Sequence, residues 1–519
     1  MKRAIVGYSG LVGSNLLQFY KFDNFYNSKN FHEAKNIEFD ELFFCGIPAV
    51  KWYANKNPEE DTTIIDSIKS ILKTMKIKKI ILISTIDVYE YTDSENNEDY
   101  DCDFCNNHTY GSNRYLFEIF IKNTFDDFHI IRLPGLFGKG LKKNIIYDLI
   151  NNNNIESISK DSIFQWYDLN WLKNDIDIIL KNNIQICNLF TEPITSFEII
   201  KLFNYPIENF KNNSKIVYNI KTKYSNLFLS NKNGYIRDKE SVLHNLKIFI
   251  KFQGIDKTNL VVSNICVNYI SQFQFSCILK LFGIKNVQIA PTKLIDNWNN
   301  LQNINIDTFK DNDINIYSFQ SVTYGLDSNI FDYESRQSLM DHLKKIINYG
   351  ILNNIKIIVF GCPRNRKILN KNDNNDTIFC EFFNELGNYI GENDLKICIE
   401  PNSKQYGCNF LNNIKETGDI VRKTDNKNIK LMVDIGNIIM ENDDISKIYN
   451  YKDILYNIDI ACVNMEPFIT NNITNKHNEF IKNLKKTNYD KKMNLEMIIR
   501  NNDDELNILI QSLNNFILL

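Results

Sequence analysis

The chain has 519 residues, more than one ordinary hydrophobic core holds, so two or more domains are expected. A net charge of -3 with no long run of one sign argues against nucleic acid or a membrane surface as partner. No apolar stretch approaches the roughly 18 residues of a spanning helix, and Met1 to Gly7 runs straight into a strand pattern, so a cytoplasmic protein is expected. Eleven cysteines, an odd number set in apolar runs such as Phe44-Cys45 and Ile397-Cys398-Ile399, read as reduced core thiols. Cys102 and Cys105, with His108 following, have no second pair of ligands and read as a loop with free thiols.

Arg3 to Gly7 has a short apolar strand pattern, followed by Gly7-Tyr8-Ser9-Gly10-Leu11-Val12-Gly13 and a helical pattern over Asn15 to Tyr20. A strand, a Gly-x-x-Gly-x-x-Gly turn and a helix let the backbone approach a pyrophosphate, so Gly7, Gly10 and Gly13 are expected to bind a dinucleotide. Glu41 to Gly46 reads as a buried strand ending in a glycine. Asn57-Pro58-Glu59-Glu60-Asp61 opens a helix, and its acids are read as capping groups at the positive end of the dipole. No acid marks the end of a second strand for a ribose 2'-hydroxyl, which leaves NAD and NADP both open. Lys78 to Ser84 is the clearest buried parallel strand, and Thr85 sits at its carboxyl end, where ligands of open α/β sheets bind. His108 to Glu118 then adds a phenol, Tyr110, and a fixed cation, Arg114, and His129 to Gly135 reads as a strand running into a turn.

Gly7-x-x-Gly10-x-x-Gly13, Ser84-Thr85-Ile86-Asp87-Val88-Tyr89 and Tyr110-Gly111-Ser112-Asn113-Arg114 together resemble the extended short-chain dehydrogenase/reductases, the NAD-dependent sugar epimerase/dehydratase family, over residues 1–205. The resemblance implies a Rossmann-type doubly wound parallel sheet, with NAD or NADP held by Gly7, Gly10, Gly13, Tyr110 and Arg114. It also implies Tyr110 as general acid/base on a sugar hydroxyl, Thr85 hydrogen-bonding the same oxygen, and a homodimer through this domain. A phenol has an unperturbed pKa of about 10 and needs a nearby cation to work near neutrality. The family's usual Lys four residues after the Tyr is Arg114 here, which keeps the field but changes the geometry toward ribose hydroxyls. The Asp-Glu pair that follows the Thr in family dehydratases is Ile86-Asp87 here, so epimerisation, oxidation or reduction is expected rather than loss of water.

Beyond this, the substrate lobe looks abbreviated, and Phe164-Gln165-Trp166-Tyr167 reads as either pocket lining or aromatic core. Residues 206–257, which include Asn212-Asn213-Ser214 and Asn231 to Gly234, are expected to be a connector. It would end in a helix over Glu240 to Phe252 that seals the bottom of the next domain.

Residues 258–519 alternate short apolar strands with amphipathic helices: Leu260 to Val267, Val287 to Ala290, Ile314 to Phe319, Lys356 to Phe360, Lys396 to Ile399, Lys430 to Val433, Ile458 to Val463 and Met493 to Leu495. That count and length predict a (β/α)8 TIM barrel, with site candidates at the strand ends, namely Gln320, Glu400, Asn402, Asp434, Asn437 and Glu496. Ile399-Glu400-Pro401-Asn402, Val433-Asp434-Ile435-Gly436-Asn437, Asn494-Leu495-Glu496-Met497 and Val359-Phe360-Gly361-Cys362-Pro363 resemble the xylose-isomerase-like sugar phosphate isomerases and epimerases. The resemblance implies Glu400, Asp434 and Glu496 as ligands of Mn2+, Mg2+ or Co2+, with Glu400 and Glu496 moving a proton on the carbon beside a carbonyl. Strand seven departs from the family in having no His; Asn464 is the nearest neutral substitute, and His477 falls in the following helix.

The expected whole is an α/β enzyme with two sites acting on a sugar, sugar phosphate or nucleotide sugar. Its first domain makes or consumes a ketone and its barrel isomerises or epimerises beside such a carbonyl, as suits precursors of surface polysaccharides. The alternatives are an NAD(P)-dependent sugar reductase with a degenerate barrel, and a non-catalytic cofactor sensor or scaffold.

Overall fold

The computed structural model describes residues 1–210, 215–228, 233–369, 374–501 and 504–519, and the chain divides into the units Met1–Ile255 and Asp256–Leu519. The expected loop residues Asn212, Asn213, Ser214 and Asn231 lie outside the described residues.

In the first unit six parallel strands form one sheet: β1 (Arg3–Val6), β2 (Asn24–Tyr26), β3 (Glu38–Phe44), β4 (Lys76–Thr85), β5 (Phe128–Leu133) and β6 (Ile186–Asn188), in the order β2-β1-β3-β4-β5-β6. The near-continuous apolar runs follow from burial on both faces. Ile80, Ile81 and Leu82 of β4 are all fully or almost fully buried. This is a Rossmann-like parallel sheet, and its strand order reverses at β1, with β2 on one side and β3 on the other. A ligand crevice is expected at that reversal, beyond the carboxyl ends of β1 and β3.

Four helices position the site: α1 (Leu11–Leu16), α2 (Lys51–Lys56), α3 (Pro58–Leu72) and α4 (Thr109–Thr124). Ile65, Ile68 and Leu72 of α3 and Phe117 and Ile121 of α4 pack with Leu42, Phe44, Ile80 and Leu82 of the sheet. The first helix lies at Leu11–Leu16 rather than at 15–20. Gly10 is its extended cap, and the first helical turn is pressed onto the glycine loop: a Cβ on Gly13 would sit 2.1 Å from the Gly7 carbonyl oxygen.

The connector expected at 206–257 is corrected, because all but its last two residues belong to the first unit. Its helix, Lys239–Gln253, turns Val242, Leu246 and Phe249 into a core with Phe137, Trp166, Ile194 and Phe210. Its amphipathic face was legible, but what that face covers was not.

The second unit is a closed eight-stranded parallel barrel: β7 (Leu260–Ser263), β8 (Asn286–Ile289), β9 (Asn315–Phe319), β10 (Ile357–Phe360), β11 (Lys396–Ile399), β12 (Ile429–Asp434), β13 (Leu455–Ile460) and β14 (Met493–Leu495). Closure is by β7 on β14, in the register Leu260↔Met493 and Val262↔Leu495. Ile357, Val359, Cys398 and Met432 cluster with Tyr317 and Tyr456 packed against them.

Two strand ends differ from expectation by more than one residue. β7 stops at Ser263, whose hydroxyl accepts from the Ile265 N–H and turns Asn264–Cys266 into a 3-10 turn. β13 runs from Leu455 to Ile460 and leaves the ladder before Ala461, three residues earlier than the expected end at Val463. All eleven cysteines are free. No described helix is long and apolar enough to cross a membrane.

Candidate functional site

In the first unit one cavity of about 1470 Å³ is lined by Gly7, Gly10, Gly13, Thr85, Tyr110 and Arg114 together. The glycine turn forms one wall because nothing larger fits. Gly7 has φ +88, and a Cβ there would lie 2.4 Å from the Cys45 carbonyl oxygen. The wall past the end of β2 is made by Asn27, Ser28 and His32. A glycine loop that a Cβ would fill, opening into a cavity of this size, fits a dinucleotide.

Tyr110 enters the cavity from the first turn of α4, whose start is set by His108: its Nδ1 accepts from the Gly111 N–H at 2.9 Å. The phenol is buried and its pKa is pushed up to about 12, chiefly by desolvation; the Arg114 charge and a hydrogen bond with Thr85 oppose this. Thr85 and Tyr110 therefore meet, 25 residues apart in sequence.

Arg114 lines the cavity with part of its guanidinium engaged elsewhere. It is 3 % exposed, its Nη1 is ion-paired with Asp61, and its Nη2 donates to the Pro48 carbonyl. Its guanidinium carbon lies 4.0 Å from the centre of the Tyr110 ring. Two of its donors are thus taken by α3 and the loop before α2, its Nε is buried without a partner, and the guanidinium lies against the ring of the phenol. The reading of Asp61 as a cap is corrected too, since this carboxylate binds Arg114 and accepts from Asn113 Nδ2 at 2.8 Å. Ser84 is also occupied, its hydroxyl donating to Glu118 Oε1 at 2.6 Å.

Sequence reasoning missed a second polar cluster on the same cavity. Lys51 Nζ lies 2.7 Å from Asp87 Oδ1, the Tyr218 hydroxyl donates to the same oxygen at 2.8 Å, and Lys51 Nζ lies 3.0 Å from that hydroxyl. Asp87 was visible in the motif, but nothing in the sequence tied it to Lys51, 36 positions before it, or to Tyr218, 131 positions after. Of the aromatic run, Phe164 and Trp166 line the cavity, while Tyr167 is buried and donates to Asp175 Oδ2 at 2.8 Å.

In the barrel the expected acids all sit at strand ends and are buried: Glu400 after β11, Asp434 closing β12 and Glu496 after β14. Asn437 Nδ2 bridges the first two, 3.0 Å from Glu400 Oε1 and 3.2 Å from Asp434 Oδ2. Asp434 Oδ1 also caps the helix Ile435–Met440 through the Gly436 and Asn437 N–H groups. Gln320 donates to Ser263 Oγ at 2.7 Å and hydrogen-bonds Glu496.

A fourth acid, Asp459, lies inside β13 and accepts from Asn457 and Asn494 Nδ2 at 3.0 and 3.1 Å. It escaped notice because the strand was expected to begin only one residue earlier, at Ile458. The alternation Asn457, Asp459 along the true strand was the available signal. Burial raises the pKa of all four carboxyls, and repulsion from the neighbouring carboxylates adds to this at Glu400, Asp459 and Glu496. The cluster therefore holds protons that isolated acids would lose at neutral pH.

Among the described residues no group of three or more His, Cys, Asp or Glu is arranged to hold a divalent cation. The donor NH2 of Asn437 stands between two of the supposed ligands. Asn464 is exposed, at φ 57. His477 is fully buried, its Nδ1 accepting from the Thr474 N–H and its Nε2 3.1 Å from the Ala461 carbonyl oxygen.

Residues 282–516 match the family model of xylose isomerase-like TIM barrels, in line with the closed eight-stranded barrel. Among solved structures the chain is similar to 3-keto-D-glucoside 4-epimerase YcjR from E. coli, with 15% identity over 49% of this chain and 99% of that one and a TM-score of 0.40. It is also similar to D-psicose 3-epimerase determined in the presence of D-fructose, with 14% identity over 50% and 96% of the two chains and a TM-score of 0.41. AP endonuclease, family 2, from Brucella melitensis shares 11% identity over 48% and 96%, with a TM-score of 0.42. No curated protein matches the chain.

Proposed function

We propose that the chain is a carbohydrate-modifying enzyme with two sites. The first unit carries NAD(P)-dependent epimerisation, oxidation or reduction of a sugar, sugar phosphate or nucleotide sugar; the barrel isomerises or epimerises a carbon beside a carbonyl. The observation that carries the first part is the single cavity shared by the glycine turn, Thr85 and Tyr110. For the second it is the set of buried acids at the strand ends of a xylose isomerase-like barrel.

The dinucleotide, when bound, supplies a hydride acceptor or donor for the sugar carbon. Tyr110 exchanges the proton of the sugar hydroxyl and Thr85 holds the same oxygen. Lys51, Asp87 and Tyr218 bind and orient the sugar from their side of the cavity. In the barrel, Glu400 and Glu496 exchange a proton with carbon, and their raised pKa values keep one protonated while another acts as base.

The test is to denature the purified full-length protein, identify any released nicotinamide by mass, and titrate NAD(H) and NADP(H) if none is released. Retained NAD is expected of an epimerase that oxidises and re-reduces its own substrate, whereas saturable exchange is expected of a dehydrogenase or reductase. Tyr110→Phe should keep cofactor binding and lower turnover by roughly 100- to 10,000-fold. Absence of binding by either dinucleotide overturns the reading of the first unit. A sugar reductase with a retired barrel is the second reading, favoured by the lack, among the described residues, of a group of acids arranged to hold a metal.

A further inference from the structure

The loop after the fourth barrel strand ends in a cation that has no partner for most of its donors. Arg366 is fully buried, its Nε and Nη1 have no hydrogen-bond partner, and Nη2 makes one long contact, 3.5 Å to the Leu411 carbonyl. An unpaired guanidinium removed from water is strongly destabilising unless a partner arrives. The loop is nevertheless held firmly. Asn365 accepts from the Thr323 hydroxyl at 2.6 Å and donates to the Leu326 and Ser328 carbonyls at 3.1 and 2.7 Å.

Arg366 lies within electrostatic reach of Glu400, which presses on the start of the same loop. A Cβ on Gly361 would lie 2.3 Å from Glu400 Oε2 and 3.3 Å from Asn402 Oδ1. Asn402 Oδ1 is itself buried without a partner. Unfilled donors and an unfilled acceptor thus flank the base at the mouth of the barrel.

We propose that Arg366 is the fixed cation of the barrel site and that its terminal Nη1–H and Nη2–H hold the substrate's carbonyl oxygen. This rests on the proton-transfer reading of the barrel given above. A carboxylate of the cluster takes the proton from the carbon beside the carbonyl, and the C–H electron pair becomes a C=C bond. The C=O pair moves onto the oxygen, which the guanidinium fork holds as an enolate. Return of a proton to the opposite face of the same carbon gives the epimer; return to the former carbonyl carbon, with the proton of the neighbouring hydroxyl passing to the enolate oxygen, gives the isomer. No electrons enter or leave. A two-pronged donor suits this oxygen better than an ammonium would.

The test uses the full-length protein stripped of metal with EDTA and oxalate, a planar enolate mimic, as probe in calorimetric titration. The stripped wild type is expected to bind oxalate saturably, and Arg366→Gln to weaken that binding at least tenfold with its thermal transitions unchanged. If Arg366→Gln does not fold, Arg366→Lys carries the comparison and is also expected to bind more weakly, because it loses the fork. Oxalate binding that survives both substitutions overturns the proposal, as does a stripped wild type that binds none. In that last case Mn2+ separates the two claims. If added Mn2+ restores oxalate binding, the barrel reading stands with a metal and only the role of Arg366 falls; if it does not, both fall.

Discussion

At Lys139 burial decides the charge. This side chain is 8 % exposed, and desolvation pulls its pKa down to about 8 from the usual 10.5. Because the folded value is lower, the unfolded chain binds the proton more tightly between about pH 8 and 10.5, and stability rises with pH across that window. Below pH 8 the whole penalty, about 3 kcal/mol, is present. Lys139→Met should therefore stabilise the protein at pH 7, and its advantage in urea midpoint over the wild type should shrink as the pH approaches 10. A constant difference across that range would exclude a titrating Lys139.

The same scale governs Gly361. The 2.3 Å approach to Glu400 Oε2 leaves no room for a methyl group, so Gly361→Ala should displace the carboxylate and abolish barrel activity while costing the fold only about 1–3 kcal/mol. Sugar-dependent proton exchange and a urea melt on one sample read both effects.

At the scale of elements, the pairing of α3 with α4 shows what a local reading loses. Pro58 at the first helical position and Glu59, Glu60 and Asp61 in the first turn were legible as a helix start, and the helix begins there. That Asp61 would be 4 % exposed and bound to Arg114, 53 positions away, depended on α4 crossing it. Asp61→Asn leaves Arg114 buried without its counter-charge and should cost about 3–5 kcal/mol, measured by urea denaturation. A loss below about 1 kcal/mol would show that water reaches the guanidinium. Arg114→Lys should lose the Tyr110 ring contact, and with it part of what offsets desolvation of the phenol, so the alkaline limb of the pH–rate profile should move up. In the barrel, strand seven was misplaced by three residues because an apolar run does not mark where a ladder stops; pairing with β12 and β14 does.

At the scale of the whole molecule, the closing pair β7 on β14 joins residues 230 or more positions apart. Cutting the chain after Lys492 removes the partner of both Leu260 and Ile458. A chain of residues 256–492 should therefore fail to form a protease-resistant barrel, whereas 256–519 should form one, as limited proteolysis would report.

Periodicity and turn chemistry act locally, so the sequence by itself determined the parallel α/β character of both halves, the glycine turn at Gly7 to Gly13, and Thr85, Glu400, Asp434 and Glu496 at strand ends. Tertiary structure alone decided which charges meet. It tied Arg114 to Asp61, joined Lys51 and Tyr218 to Asp87, put Asp459 among the barrel acids, and left Arg366 buried with open donors. The physical reason is that a charge's partner is chosen by through-space distance and desolvation, and both are set by packing between residues far apart along the chain.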